Sequence, residues 1–274
     1  MALLFLKPHW KKMDGTLMTP GQKPLCMSLM MESFVKFTNQ SQGRDRLFRA
    51  TQYACMLLSY VLENKAGREK VVKKLKRVES NMSSGRKLFR LGNMVHAIEA
   101  SKASIQLSDP VLCYCLTAAN LNRVLYFTCD TVLWVRSVDL VSDINKEKWQ
   151  HRASQCYFYS LLFHLARDLY VIINCIENER KCGQRWANQE NGPALNSTNT
   201  SLKSLENVLL FLLLSLKKHS PVLLDTIKNV CDLFSPLDRL GFYKTNPGFI
   251  GICGLISSIV GILTIANPQL RLKN

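Results

Sequence analysis

Apolar residues recur along most of this chain at the three- and four-residue spacing of an α-helix, whereas the alternation of a half-buried strand is rare. Residues 44–62 show the helical spacing with Leu47, Phe48, Cys55, Leu58 and Val61. A second helical pattern over 145–178 begins at Asn145, a residue type that caps helices, and a polar stretch rich in Ser, Thr, Asn and Gly follows at 179–203. The pattern predicts an all-α protein with a polar linker at 179–203.

The most apolar part of the chain is its C-terminal run. No Asp, Glu, Lys or Arg occurs between Lys244 and Arg271, and apolar and small residues dominate the 18 residues at 249–266. At about 1.5 Å per residue, this run is roughly 27 Å long as a helix, which is close to a hydrocarbon core of about 30 Å. We therefore expect residues 246–274 to form a transmembrane helix followed by a short basic tail.

Small residues recur within this run at steps of three, four and three. They are Gly251, Gly254, Ser258 and Gly261. This spacing places them on one face of the helix, where small side chains let a second helix approach closely in lipid. The sequence therefore predicts a helix-contact face that supports association, including a homo-oligomer, although glycine is also generally frequent in membrane helices.

Residues 111–135 form a second apolar segment, which Arg123 and Asp130 interrupt. Its Leu, Val and Phe residues favour insertion into a bilayer by roughly 3 to 6 kcal/mol, and each central charge opposes insertion by roughly 2.5 to 3.5 kcal/mol. The segment is therefore either a first membrane span, supported by neighbouring helices, or a helix buried against them. Arg123 and Asp130 are accordingly either polar positions along an ion path or residues paired with a partner helix.

The positive charge of the chain is concentrated in its first part. The formal net charge is +16 overall, +11 over residues 1–110 and +3 over residues 136–245. Residues 67–90 alone hold nine basic and two acidic residues. As a helix, this segment has a narrow apolar stripe beside a basic surface, and such a helix lies in the headgroup plane of an anionic membrane. An amphipathic helix packed on its neighbours has the same pattern.

We expect the apolar stripe of residues 67–90 to insert between lipids. Its members are Val71, Leu75, Val78, Met82 and Phe89. We expect the basic side chains beside the stripe to contact lipid headgroups, each attracted by about 1 kcal/mol near an anionic surface. They are Lys73, Lys74, Lys76, Arg77, Arg86, Lys87 and Arg90.

Several classes of function are not predicted. The chain has no P-loop, dinucleotide or nucleophile-elbow motif, and its five histidines are not spaced with cysteine as metal ligands are. No zinc-finger or RNP-like pattern accompanies the basic segment. Arg167 beside Asp168 has the pattern of an exposed pair on a helix surface. We expect no enzymatic activity, no cofactor, no metal and no nucleic-acid partner.

The chain divides into five parts. Helical periodicity begins at Met31, so we expect residues 1–30, which contain three prolines, to be a disordered extension or an alternative start. The other parts are an amphipathic helical region at 31–110, the candidate first membrane segment at 111–135, a helical region containing the linker at 136–245, and the transmembrane helix with its tail at 246–274.

Six stretches of the chain carry a resemblance to a known family. They are "FTNQSQGRDRLFRATQYACMLL", "SSGRKLFRLGN", "LNRVLYFTCDTVLWVRS", "INKEKW", "LLLDTIKNVCDLFSPLDRLG" and "NPGFIGICGLISSI". Across residues 31–274 the chain resembles the peroxisomal biogenesis factor eleven family, most nearly its vertebrate alpha form. Residues 1–30 and the linker at 179–203 have no counterpart among the family's motifs.

The resemblance implies a multi-pass protein of the peroxisomal membrane with both termini in the cytosol. It implies a role in peroxisome proliferation, in which the membrane is elongated before fission. The family's membrane-remodelling helix corresponds to residues 67–90, and its two membrane segments correspond to 111–135 and 248–268. Two spans place the basic first part and the tail on the same side, as the positive-inside rule prefers.

The resemblance also implies partners. These are an anionic phospholipid membrane, further copies of the chain, a tail-anchored fission adaptor with its dynamin-like GTPase, and the import receptor for peroxisomal membrane proteins. The alpha form is linked to coatomer through a dilysine-like tail, which Arg271 and Lys273 match only in part. Two other hypotheses stay open. One is a pore for small metabolites lined by Arg123 and Asp130, and the other is a scaffold that recruits fission proteins without bending lipid.

Overall fold

The computed structural model describes residues 40–63, 65, 67–141, 143–189 and 220–270, together with 37 and 272. This part of the chain is helical and contains no strand, so the prediction of an all-α protein is confirmed. The helices are α1 (Ser41–Glu63), α2 (Glu69–Phe89), α3 (Asn93–Ile105), α4 (Pro110–Ser137), α5 (Lys146–Gln189), α6 (Ser220–Leu240) and α7 (Pro247–Ala266), with a short 3₁₀ turn at Pro268–Leu270.

The helices pack as a closed ring. α1 lies between α2 and α7, α7 lies between α1 and α6, and α6 lies between α7 and α5. α5 packs on α4, and α3 packs on α4 as well. A smaller contact between α2 and α4 closes the ring. The two ends of the described chain, α1 and α7, are therefore neighbours.

Polar residues fill much of the interior of the ring, and apolar residues cover much of its outside. The largest fully buried side chains among the described residues are Asp168, Pro236, Ser160, Ser257 and Ser258. Large apolar side chains are exposed on the same helices, with Leu125 of α4 54% exposed and Leu169 of α5 59% exposed. So many buried polar side chains beside exposed large apolar ones are unusual in a soluble domain and typical of helices that pack through small and polar residues in lipid.

Two caps fix where the central helices begin. Asn145 Oδ1 accepts hydrogen bonds from the amides of Glu147 and Lys148, so the predicted cap of α5 is confirmed. Asp109 caps α4, because its side chain accepts from the amides of Val111 and Leu112 while Pro110 occupies the first helical position. The Leu112 amide lowers the pKa of the Asp109 carboxyl below its usual value.

Two described helices are long and apolar enough to cross a membrane. One is α7, which matches the predicted C-terminal transmembrane helix, and the other is the stretch Lys146–Asn178 of α5. The segment 111–135 lies within α4 and is helical as expected, but α4 is not one of this pair. That residues 111–135 cross the membrane stays a prediction.

The predicted linker at 179–203 is wrong in its first part. α5 continues without interruption to Gln189, so 179–189 is helical. The reason is composition, because Glu, Arg, Lys and Gln are good helix formers and a single glycine costs only about 1 kcal/mol. Residues 190–203, the extension at 1–30, and Arg271 and Lys273 of the basic tail lie outside the described residues.

Candidate functional site

The apolar stripe predicted for residues 67–90 lies on α2, and it is partly open to the outside. Val71 is 43% exposed and Val78 is 37% exposed. The remaining members, Leu75, Met82 and Phe89, are half-buried. The residue of α2 that is buried is Val72, which the stripe does not include. The stripe therefore lies at the edge of the contact with α1, with its two valines on the open side.

The first half of α2 carries exposed cations beside these valines. Lys73, Lys74, Lys76 and Arg77 are all exposed. Lys76 Nζ lies 2.8 Å from Glu63 Oε1 of α1, and both side chains are about half exposed. A surface pair of this kind contributes at most about 1 kcal/mol, so it does not prevent Lys76 from contacting another anion.

The second half of α2 is held by buried ion pairs. Arg86 Nε lies 3.0 Å from Asp45 Oδ1 of α1, and Arg90 Nη2 lies 3.1 Å from Asp130 Oδ2 of α4. Arg90 Nε is also 3.9 Å from Asp45 Oδ1. We call these four residues the docking cluster. The side chains of Arg86 and Arg90 are only 11% and 12% exposed, so in this arrangement they bind carboxylates and do not contact lipid headgroups.

Further contacts hold the same end of α2. Phe89 packs edge-on against Phe48 of α1, with ring centroids 4.9 Å apart. Gly85 allows this approach, because a Cβ there would lie 3.1 Å from the Phe48 ring. Lys87, also predicted as a headgroup contact, is half-buried, and burial lowers the pKa of its ammonium group while Asp130 offsets part of that effect.

The structure does not pair Arg123 with Asp130. Asp130 is 7% exposed and binds Arg90, which also donates a hydrogen bond to the hydroxyl of Tyr126. Arg123 is exposed, and its guanidinium lies 5.8 Å from the ring centroid of Phe127. The packing thus favours pairing with a partner helix as the role of Asp130.

The small-residue face of α7 is covered by α1 of the same chain. A Cβ at Gly254 would lie 2.5 Å from the ring of Tyr53, and one at Gly251 would lie 3.3 Å from the backbone of Leu57. Gly261 faces Arg46 in the same way, and Ser258 is fully buried. The predicted face therefore packs on α1 of the same chain, and the homo-oligomer stays a prediction.

Sequence reasoning missed the buried ion pairs of the interior. Arg49 of α1 binds Asp232 of α6, and Arg167 of α5 binds Asp225 of α6. The interpretation of Arg167 and Asp168 as an exposed pair is wrong, because they are 4% and 0% exposed. The available signal was their position within an apolar stretch of α5, where a charge needs an internal partner. The described residues contain no group of His, Cys, Asp and Glu arranged to hold a metal ion.

Comparisons with known proteins agree with the resemblance. The sequence model of peroxisomal biogenesis factor 11 (PEX11) matches residues 31–266. Peroxisomal membrane protein 11A of Homo sapiens is 58% identical over 89% of this chain and 99% of its own length, and that of Rattus norvegicus is 53% identical over the same shares. Peroxisomal membrane protein 11B of Homo sapiens is 42% identical over 89% of this chain and its own full length. No solved structure matches the chain. Because the match covers most of the chain at high identity, this protein belongs to the peroxisomal biogenesis factor 11 family of peroxisomal membrane proteins.

Proposed function

We propose that this protein elongates the peroxisomal membrane by inserting the apolar stripe of α2 into one leaflet. A role in peroxisome biogenesis follows from membership of the family. The observation that carries the mechanism is the free first half of α2, where Val71 and Val78 are exposed beside Lys73, Lys74 and other cations. Such a surface binds lipid without a catalytic step, and we propose that the protein is not an enzyme.

The physical basis has two steps, in which the cations of α2 are first attracted to anionic lipid and its apolar side chains then insert as a wedge. Each exposed cation is drawn to anionic lipid by about 1 kcal/mol near the surface. The valine and leucine side chains then enter the boundary between headgroups and acyl chains, and they expand that leaflet alone. A membrane with one expanded leaflet lowers its energy by bending, which favours tubules over flat sheets.

The helix bundle keeps this wedge at the membrane. α7 is long and apolar enough to cross the bilayer, and α1 joins α7 to α2. α2 therefore does not have to find the membrane by diffusion, and weak contacts made by a few side chains are enough to engage it. The effective concentration of a linked element commonly reaches the millimolar range.

The topology and the partners belong to the same proposal. Arg46, near the start of α1, lies beside Gly261, near the end of α7, so both ends emerge from the same end of the bundle. This arrangement supports a multi-pass protein with both termini in the cytosol. Self-association, recruitment of a fission adaptor with its dynamin-like GTPase, and recognition by an import receptor remain proposals. Any self-association through α7 would use its outward face, which includes Ile252 and Ile256.

A metabolite pore is not favoured. The family and its relatives are named for biogenesis and for the peroxisomal membrane. Asp130, one of the two residues suggested to line a polar path, is paired with Arg90.

The test is tubulation of vesicles by the reconstituted full-length protein. Lys73→Glu with Lys76→Glu should weaken tubulation of vesicles that contain anionic lipid, and added salt should weaken the unmodified protein similarly, because both reduce the same attraction. The matched control is Lys146→Glu with Lys148→Glu, which makes the same charge change at exposed sites outside α2. Equal tubulation by the unmodified protein and the α2 variant would exclude headgroup attraction through α2.

A further inference from the structure

The docked position of α2 conflicts with insertion of its whole stripe. α1 and α7 are antiparallel, because Tyr60 meets Gly248 and Arg46 meets Gly261. α2 is antiparallel to α1, since Lys76 binds Glu63 and Arg86 binds Asp45. Docked α2 therefore runs along the direction of the membrane-crossing helix α7. In this orientation α2 does not lie flat in the headgroup plane, and only its exposed side chains can meet lipid.

Docking also covers part of the stripe. Leu75, Met82 and Phe89 are half-buried, and the ring of Phe89 packs on Phe48 of α1. Only Val71 and Val78 are exposed. All five members of the stripe can reach lipid together only after α2 separates from α1.

The contacts that hold α2 are suited to exchange with lipid. In the docking cluster, Arg86 and Arg90 share Asp45, and Asp130 binds Arg90 alone. Arg44 lies next to this cluster, with its guanidinium 5.4 Å from the Phe89 ring centroid, so the region has an excess of positive charge. A guanidinium binds a phosphate through the same paired hydrogen bonds that it makes to a carboxylate.

The docking cluster lies at one end of the bundle. Ser41 Oγ donates a hydrogen bond of 2.7 Å to the carbonyl oxygen of Phe89, so the end of α2 meets the start of α1. That end of the bundle is also where α7 ends, beside Arg46. The short turn at 90–92 follows α2 and leads into α3.

We propose that phosphate groups of anionic lipids replace Asp45 and Asp130 as the partners of Arg86 and Arg90, and that this exchange separates the second half of α2 from α1, so that Met82 and Phe89 reach lipid. Asp45 and Asp130 are then positioning residues that hold this half of α2 docked until such lipid is present. The inference rests on the proposed function, because it supplies the step that lets Met82 and Phe89 insert.

The test uses the full-length protein with the photoreactive phenylalanine analogue benzoylphenylalanine at Phe89, reconstituted in vesicles. In phosphatidylcholine alone, and with inorganic phosphate added, illumination should mainly link Phe89 to α1. In vesicles that include phosphatidylserine, the ratio of lipid adduct to internal crosslink should rise at least tenfold. Asp45→Asn with Asp130→Asn should give the high ratio in phosphatidylcholine as well, and Glu63→Gln, which removes only the exposed pair, should behave as the parent.

The outcomes separate the possibilities. An internal crosslink that neither phosphatidylserine nor Asp45→Asn with Asp130→Asn reduces would overturn the inference. Release by inorganic phosphate alone would overturn the assignment to lipid. Because the asparagine variant could also perturb folding, Arg86→Lys with Arg90→Lys serves as a second test, and it should lessen the response to phosphatidylserine while the internal crosslink persists. None of these crosslinking results depends on tubulation of vesicles. The inference and the proposed function can therefore be tested independently of each other.

Discussion

Replacing Gly254 with leucine should separate α1 from α7. A Cβ at Gly254 would lie 2.5 Å from three carbons of the Tyr53 ring, which is far inside van der Waals contact. The ring has little freedom to move, because Tyr53 is 7% exposed and the Arg49 guanidinium lies 5.5 Å from its centroid. Arg49 is itself fixed by its ion pair with Asp232. The leucine therefore cannot be accommodated without displacing α1.

The expected cost is that of overpacking, about 1 to 3 kcal/mol. A difference of about 1.4 kcal/mol is tenfold in an equilibrium constant, so the ratio of docked to undocked α1 should fall roughly 5- to 150-fold. Leucine is a better helix former than glycine by up to about 1 kcal/mol, but that gain applies whether or not α1 is docked. The substitution should therefore leave α7 helical and inserted.

The assay is an engineered disulfide between α1 and α7. A Cβ at Gly251 would lie 3.3 Å from that of Leu57, close to the separation in a disulfide, so Leu57→Cys with Gly251→Cys should crosslink within one chain. Mass spectrometry of linked peptides from the monomer fraction measures the yield. Gly254→Leu should lower the initial rate of crosslinking at least fivefold, and Ile256→Leu on the outward face should not change it. Crosslinks that form only between chains, or an unchanged rate with Gly254→Leu, would refute the packing of α1 on α7.

Two further substitutions test the interior and a helix start. Arg49→Met leaves Asp232 buried without its cation and should lower the free energy of unfolding by about 3 to 5 kcal/mol. Arg49→Met with Asp232→Leu should recover most of that loss. Thermal unfolding in detergent compares the two variants, and equal losses of stability would contradict a buried ion pair. Asp109→Ala removes the cap of α4 and the acceptor of the Tyr170 hydroxyl, so it should cost about 1 to 2 kcal/mol and speed hydrogen exchange in the first turn of α4. Unchanged exchange there would show that the cap is not needed.

Local signals in the sequence were enough to predict several parts of the structure. The uncharged run that became α7, the helix over 111–135 and the cap at Asn145 each depend on residues close in sequence. The spacing of small residues on α7 likewise identified the face on which another helix packs. These features follow from periodicity and capping chemistry, which act over a few residues.

The partners across the bundle could not be predicted in this way. Arg49 and Asp232 are 183 residues apart in the chain, and no residue near either of them in sequence indicates that they form an ion pair. The sequence of α1 likewise does not indicate that Arg49 is buried or that Tyr53 covers Gly254 of α7. Arg86 and Arg90 are basic like the exposed cations of α2, and the structure distinguishes them by their ion pairs with Asp45 and Asp130.

The central claim is that α2 elongates the membrane by inserting its apolar stripe. Leu75→Glu with Val78→Glu removes two insertion contacts, each worth up to about 1.5 to 3 kcal/mol, and places two charges in the acyl boundary. Ser80→Glu with Ser84→Glu adds the same two charges to exposed positions on the opposite face of α2, so it matches the loss of net positive charge and spares the stripe.

The most direct measurement is the length of peroxisomes in cells that express each variant at matched levels. The account predicts that the Leu75/Val78 variant reaches the peroxisomal membrane but leaves the organelles round and few, while the Ser80/Ser84 variant still elongates them. Normal elongation by the Leu75/Val78 variant, or equal loss of elongation in both, would contradict insertion of the stripe as the source of membrane remodelling.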